Sequence, residues 1–159
     1  MPVTDQEARL YMRSLSPAQT RALGIKLSSY LRPGDVLILR GDLGAGKSEF
    51  TRGIAQGLGI SGPIPSPSFT ILNVYEEGRL PLYHFDWYRL NSSEELYEMG
   101  MDEYLMGEGV SVVEWPSQCP DAVPEDCLEI HFQVLDENSR EIEMTSKGHF
   151  RTIQWEDKE

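Results

Sequence analysis

One eight-residue stretch constrains the fold more than any other part of the chain: residues 41–48, with the sequence GDLGAGKS. It matches the phosphate-binding pattern G-x-x-x-x-G-K-[ST] at every fixed position. Glycines allow the backbone to turn its N–H groups inward around a phosphate. In this pattern the lysine reaches the β- and γ-phosphates and the serine hydroxyl binds Mg²⁺. The stretch predicts a nucleotide-binding loop.

The residues on either side of this loop support the prediction. Residues 36–39 are a short apolar run, which is typical of a strand that is buried on both faces. After the loop, Phe50, Ile54, Ala55 and Leu58 recur at helical spacing. The phosphates would therefore lie at a helix N-terminus. The alternative is a glycine-rich turn that carries a lysine by chance, and the order of strand, loop and helix argues against it.

Size and composition favour one soluble domain. The 159 residues are 40% hydrophobic and 25% charged, and we expect a single domain over residues 1–159. No apolar run approaches the roughly 20 residues of a membrane span, and residues 1–7 lack the basic and apolar parts of a signal peptide. Cys119 and Cys127, the only two cysteines, require neither a disulfide framework nor zinc. We expect a cytoplasmic protein that has no contact with a membrane.

The net charge of −12 is unevenly distributed along the chain. Residues 1–89 contain ten Lys or Arg and eight Asp or Glu, whereas residues 90–139 contain thirteen Asp or Glu and no Lys or Arg. An acidic surface repels nucleic acid phosphates, so we expect no direct binding of RNA or DNA by this chain alone. The acid-rich stretch is either a docking surface for a protein partner or simply a solvated surface.

The sequence pattern outside the phosphate loop predicts an α/β fold. Residues 8–15 fit either a strand or a short helix opened by Thr4 and Glu7, and Ser16 followed by Pro17 begins a clear helix that extends to Leu31. Residues 69–75 and 80–86 predict an antiparallel hairpin, and residues 59–67 a loop. Further strands are predicted at 110–115, 128–134, 141–145 and 149–155, and a short acidic helix at 92–99. A hairpin combined with strand–helix alternation indicates a mixed sheet.

Two carboxylates are candidates for the chemistry. Glu114 ends the apolar strand 110–114, and Asp86 ends the second hairpin strand. Each could hold Mg²⁺ or orient the attacking water, and the pattern does not assign the two roles. The alternative for Glu114 is an exposed edge carboxylate. His84 is interpreted as a hydrogen-bonded structural residue, and residues 66–70 as either a loop that orders around the γ-phosphate or an ordinary loop.

Four segments together, GDLGAGKS, SPSFTIL, HFDWYRL and VVEWP, resemble the TsaE (YjeE) family, the small ATPases of bacterial tRNA N6-threonylcarbamoyladenosine (t6A) synthesis. The resemblance covers most of the chain. It implies a P-loop NTPase-like fold with a mixed parallel and antiparallel sheet flanked by helices. It also implies ATP and Mg²⁺, a cytoplasmic role and a partner complex of the TsaB–TsaD type.

The same resemblance implies roles for individual residues. Lys47, Asp86 and Glu114 would be required for hydrolysis, Ser48 and Glu114 would bind magnesium, and Trp115 would lie beside the nucleotide. The phosphates would be bound by Gly44, Ala45, Gly46, Lys47, Ser48 and Glu49. Ser48 and Glu49 stand where the family commonly has threonines. We expect the Glu49 side chain to point to solvent and only its backbone to contact phosphate.

The predicted function is that of an ATP-hydrolysing accessory protein for t6A modification. One alternative is a small-molecule P-loop kinase, which would need a lid with arginines; no arginine occurs between Arg89 and Arg140. The other alternative is a nucleotide-gated binding module that hydrolyses little ATP.

Overall fold

The computed structural model describes residues 8–105 and 107–156. Its helices are α1 (Pro17–Ser28), α2 (Lys47–Leu58) and α3 (Ser93–Glu98), with short 3₁₀ helices at Met101–Tyr104, Pro116–Gln118 and Pro120–Ala122. The strands are β1 (Arg9–Ser14), β2 (Val36–Arg40), β3 (Leu72–Tyr75), β4 (Leu82–Asp86), β5 (Val110–Glu114), β6 (Cys127–Val134) and β7 (Arg140–Lys147). No helix in this described part is long and apolar enough to cross a membrane.

The seven strands form one mixed sheet in the order β1-β7-β6-β2-β5-β4-β3. β2 pairs in parallel with β5 and β6, and β4 pairs in parallel with β5. The pairs β1–β7, β6–β7 and β3–β4 are antiparallel. The predicted α/β class, mixed sheet and hairpin are confirmed. Because β2, β4 and β5 are parallel, their carboxyl ends meet at one edge of the sheet.

Helices α1 and α2 contact each other closely beside the sheet. α1 begins as predicted, with the hydroxyl of Ser16 accepting a hydrogen bond from the backbone N–H of Gln19. The apolar stripe of α2, which includes Phe50 and Ile54, is buried with Leu39 of β2 in one core cluster. The second cluster includes Ile38 of the same strand, so β2 is buried on both of its faces, as predicted.

Residues 8–15, for which the sequence left two alternatives, contain strand β1, which pairs with β7. Thr4 and Glu7, the possible start of a helix here, lie outside the described residues. Cys119 and Cys127 are both buried and free, and burial raises the pKa of the Cys127 thiol to about 11.

The predicted strand at 149–155 is wrong. β7 already pairs with β6 on one side and β1 on the other, so no edge of β7 remains for the chain that follows it. This segment instead packs through its side chains. Arg151 forms an ion pair with Asp35 at 2.7 Å, and the ring of Trp155 stacks on that of Tyr30 with centroids 5.7 Å apart.

Several predicted boundaries are also wrong by a few residues. β3 begins at Leu72 and not at Phe69, because the N–H of Ile71 donates to Pro67 O in a turn that leaves Phe69 81% exposed. β4 begins at Leu82, and α1 ends at Ser28. β5 ends at Glu114, after which Trp115 takes a left-handed φ of 58°.

Candidate active site

The predicted phosphate loop connects the end of β2 to the start of α2 at the carboxyl edge of the sheet. Gly44 and Gly46 have φ values of 82° and 107°, a left-handed region that favours glycine. Gly46 is the N-cap of α2, and no described side chain accepts a hydrogen bond at this helix end. The N–H groups of the first turn are thus suited to bind an anion.

Arg140, at the start of β7, donates hydrogen bonds to the backbone of this loop. Its Nε donates to Ala45 O at 3.1 Å and its Nη2 to Gly44 O at 3.2 Å. Its Nη1 also donates to Asp136 O at 2.8 Å, in the turn before β7. The guanidinium therefore satisfies carbonyl groups of the loop and connects the loop to the β6–β7 turn. No local sequence pattern identifies this residue.

Lys47 is buried, with 5% of its surface exposed. Its Nζ donates to Gly41 O at 2.7 Å and lies 4.2 Å from the centroid of the Trp115 ring. Burial lowers the pKa of Lys47, while the charges of Glu114, Asp86 and Asp42 act in the opposite direction. The structure thus places Trp115 beside the loop and a lysine between the loop and two carboxylates.

Asp86 and Glu114 are direct neighbours on the parallel strands β4 and β5. Both are buried, with 5% and 6% of their surface exposed, so Glu114 is not an exposed edge carboxylate. Asp86 Oδ1 accepts a hydrogen bond from the Tyr88 N–H at 2.9 Å. Burial raises the pKa of Asp86, an effect opposed by that hydrogen bond. Two carboxylates 28 positions apart in the chain are brought to one site by strand pairing.

His84 forms a contact that no local sequence pattern predicts. It lies two residues before Asp86 on β4, is 2% exposed, and its Nε2 is 2.9 Å from Glu114 Oε2. It is hydrogen-bonded, in agreement with the structural interpretation, but its partner is a candidate magnesium ligand. The spacing of two residues to Asp86 on a strand, which puts both on one face, was the available signal.

Four residues of the predicted site line a cavity of about 550 Å³, whereas Lys47, Glu49 and the glycines and alanine at 44–46 do not line it. Ser48, Asp86 and Glu114 line it together with Ser66 and Ser68 of the loop at 66–70. The hydroxyls of these two loop serines are 2.8 Å apart. The further lining residues are Leu43, Tyr88, Arg89 and Trp115.

Backbone strain is concentrated at this cavity. Among the described residues, Ile71 and Trp115 are the only two non-glycine residues with positive φ, at 70° and 58°. Trp115 lines the cavity, and Ile71 directly follows the loop at 66–70. Large side chains occupy this region of φ only where the surrounding structure imposes it, and such residues cluster at functional sites.

The comparison with protein families is consistent with this geometry. Residues 14–142 match the family model described as "Threonylcarbamoyl adenosine biosynthesis protein TsaE". The chain belongs to the TsaE family. The matched range includes the phosphate loop, both carboxylates and Arg140. The predicted resemblance is confirmed.

Several relatives within the TsaE family carry the name "tRNA threonylcarbamoyladenosine biosynthesis protein TsaE". The one from Bacillus subtilis is 43% identical over 141 residues, which cover 89% of this chain and 88% of that protein. The one from Treponema pallidum is 43% identical over 129 residues, covering 81% of this chain and 95% of the relative. The crystal structure of Bacillus subtilis YdiB is similar with a TM-score of 0.79 and 39% identity, over 91% of this chain and 90% of that one.

Glu49 differs from the expectation for its side chain. In this TsaE-family chain its carboxylate does not point freely into solvent but forms ion pairs with Arg21 at 3.2 Å and Arg52 at 3.3 Å. Both arginines neutralise a charge that would otherwise be unfavourable beside bound phosphates. The side chain is thereby held on the surface of α1 and α2, and a phosphate contact through its backbone stays a prediction.

The residues at the cavity fit a magnesium ion. Ser48, Asp86 and Glu114 offer the hard oxygen atoms that Mg²⁺ prefers. Within the described residues, no group of three or more His, Cys, Asp or Glu could form a complete metal site. Magnesium is usually bound by one or two carboxylates together with water and phosphate oxygens, so this donor set suits a metal that arrives with a nucleotide.

Proposed function

We propose that this TsaE-family chain binds ATP with Mg²⁺, hydrolyses it slowly, and acts as an accessory protein in t6A modification of tRNA. One observation carries the proposal: Ser48 and the paired carboxylates Asp86 and Glu114 line one cavity, and both carboxylates are near enough to the buried ammonium of Lys47 to favour its charged form. The names of the relatives support the connection to t6A.

Each group at the cavity has a distinct role in this proposal. The loop N–H groups and Lys47 bind the phosphates, and Ser48 with Glu114 would hold the magnesium ion. That ion, when bound, neutralises charge on the β- and γ-phosphates. Asp86 accepts a hydrogen bond from the attacking water and positions it in line with the γ-phosphate. The N–H of Tyr88 fixes the Asp86 carboxylate in place.

Partner binding is the second part of the proposal. A complex of the TsaB–TsaD type transfers the threonylcarbamoyl group to tRNA, and ATP hydrolysis by this chain resets that complex. Residues 90–139, which contain thirteen acidic residues and no basic one, favour a protein partner and disfavour tRNA. This chain alone then does not bind tRNA near physiological salt.

Two substitutions test hydrolysis directly. Asp86→Ala is expected to lower kcat for ATP by on the order of 100-fold with little change in ATP affinity, because the water is oriented mainly in the transition state. Glu114→Ala is expected to lower kcat and also to abolish the Mg²⁺ dependence of ATP affinity. Calorimetry with and without Mg²⁺, beside a phosphate-release assay, measures both. If only Asp86→Ala loses the Mg²⁺ dependence, the two roles are reversed.

A genetic experiment tests the role in t6A. Expression of this chain in a Bacillus subtilis strain depleted of its own TsaE is expected to restore t6A in tRNA, measured by mass spectrometry of digested nucleosides. The Asp86→Ala variant is the matched control and is expected to restore little. Failure of the folded, expressed wild-type chain to restore t6A contradicts the proposal.

A further inference from the structure

Arg89 is a charged residue of the cavity to which the proposed mechanism gives no role. It lies three residues after Asp86, and its side chain lines the same cavity as Ser48 and Glu114. Its guanidinium carbon lies 4.3 Å from the centroid of the Phe69 ring. Phe69 belongs to the loop at 66–70 and is 81% exposed. The guanidinium therefore rests on an exposed ring at the edge of the cavity.

The other cations near the phosphate loop are already engaged. Arg140 donates to loop carbonyls, and both Arg21 and Arg52 pair with Glu49. Lys47, which donates to Gly41 O, is already assigned to the phosphates in the proposed function. Arg89 forms no side-chain hydrogen bond or ion pair with any described residue, so no anion in the described part of the chain competes for its five N–H donors.

ATP hydrolysis develops negative charge that a cation near the γ-phosphate stabilises. The water oxygen forms a bond to the γ-phosphorus while the bond from that phosphorus to the bridging oxygen breaks. ADP leaves with the bond electrons, and the water proton passes to Asp86 and then to solvent. Negative charge on the phosphoryl oxygens must be stabilised throughout, and a guanidinium offers two parallel N–H donors with a permanent charge.

We propose that Arg89 is a catalytic residue that contacts the γ-phosphoryl oxygens in the transition state of ATP hydrolysis. It acts as an arginine finger supplied by the same chain. This inference rests on the proposed ATP hydrolysis. Phe69, on the loop whose two serines also line the cavity, holds the guanidinium through a cation–π contact. Movement of that loop toward the phosphates carries the guanidinium into contact with them.

Substitution of Arg89 tests the proposal with a readout other than turnover. Arg89→Ala is expected to weaken binding of ADP with aluminium fluoride, a mimic of the transferring phosphoryl group, by about 100-fold, which corresponds to about 2.7 kcal/mol. Affinity for ADP alone is expected to change less than about threefold, because the contact forms mainly in the transition state. Calorimetry measures both affinities, and single-turnover hydrolysis is expected to slow by a similar factor.

Two further variants make the result specific. Arg89→Lys keeps the charge but not the planar fork, and it is expected to bind the mimic with intermediate affinity. Millimolar guanidinium ion is expected to restore part of the hydrolysis by Arg89→Ala. The matched control is Arg13→Ala on the edge strand β1, which removes the same charge from a side chain that is 63% exposed. It is expected to match the wild type in every assay.

The outcomes separate this inference from the proposed function. If Arg89→Ala binds the mimic as tightly as the wild type, or loses ADP and mimic affinity equally, Arg89 is not a transition-state residue and the inference is wrong. If the wild-type protein binds no nucleotide or hydrolyses none, the proposed function is wrong and the inference is wrong with it.

Discussion

At the scale of single residues, Lys47 shows how the protein holds a cation in a buried position. Its ammonium lies 2.7 Å from Gly41 O and 4.2 Å from the centroid of the Trp115 ring. Burial lowers its pKa, and the nearby carboxylates favour its charged form. A phosphate oxygen is a stronger partner for an ammonium than a carbonyl oxygen is, since charge on both sides strengthens a hydrogen bond.

Replacement of this residue gives the first prediction. Lys47→Ala is expected to raise the Kd for ATP at least about 100-fold, because two charge-assisted hydrogen bonds of roughly 1.5–3 kcal/mol each are lost. Isothermal titration calorimetry measures the change. Lys26→Ala, a change at a lysine near Trp155 and outside the cavity, is the matched control and is expected to leave Kd unchanged. Unchanged affinity in a folded Lys47→Ala protein means that the loop is not the nucleotide site.

Those residues of the site that belong to a local sequence pattern were predictable. The loop motif identifies Lys47 and Ser48, and the end of an apolar strand identifies Glu114. The contacts of His84 with Glu114 and of Arg140 with Ala45 were not predictable, because they join residues 30 and 95 positions apart. Contacts over such separations depend on sheet order, which the pattern of single strands does not specify.

At the scale of elements, the contact between α1 and α2 depends on glycines. A Cβ atom added at Gly53 would lie 2.1 Å from Arg21 O, and one added at Gly24 would lie 2.3 Å from Phe50 O. Real Cβ atoms do not come this close to backbone oxygens. The two helices therefore approach closely only because these positions have no side chain.

Filling one of these positions gives the second prediction. Gly53→Ala is expected to destabilise the protein by about 1–3 kcal/mol, because the clash with α1 outweighs the gain in helix propensity of roughly 1 kcal/mol. Urea denaturation followed by circular dichroism measures the free energy of unfolding. The control is Gln56→Ala, an exposed position on the same helix, for which a change within about 0.5 kcal/mol is expected. A stabilised Gly53→Ala protein contradicts the close contact.

The elements themselves were mostly predictable, and the errors have physical causes. Helix α1 follows from Ser16 and Pro17, which supply the cap and the first helical position. The alternation of apolar and polar residues in β6 predicts its half-exposed face. The strand predicted at 149–155 is wrong, because the local sequence does not reveal that both edges of β7 are already paired.

At the scale of the whole molecule, the fold divides the acidic residues into two groups. Glu114 is buried in the cavity, and Glu129 is paired with Arg40 at 3.1 Å, so neither contributes a free charge to the surface. Fewer of the thirteen acidic residues at 90–139 therefore carry a free surface charge than the sequence alone suggests. On α3, Glu94 and Glu98 are exposed, close to the exposed side chains Tyr97 (44%) and Met99 (45%).

This part of the surface combines features of a docking site. Exposed aromatic and methionine side chains are enriched at protein interfaces, and the surrounding carboxylates attract a basic partner. Charge attraction accelerates the encounter of two proteins mainly at low salt, since screening limits the range of the attraction to about 8 Å at 0.15 M ionic strength. Association of this chain with a TsaB–TsaD-type complex is therefore expected to slow as salt rises.

Charge reversal on α3 provides the last prediction. The double variant Glu94→Lys and Glu98→Lys is expected to slow association with that complex by roughly tenfold at low salt and to flatten its salt dependence, because the steering field is reversed. ATP affinity is expected to stay unchanged, since neither residue lines the cavity. The matched control reverses the exposed pair Glu76 and Glu77 in the β3–β4 turn, with the same change of charge. Surface plasmon resonance across a salt series measures the rates.

If both double variants slow association equally, the net charge of the chain and not a surface on α3 steers the encounter. If neither changes it, these carboxylates only keep the protein soluble.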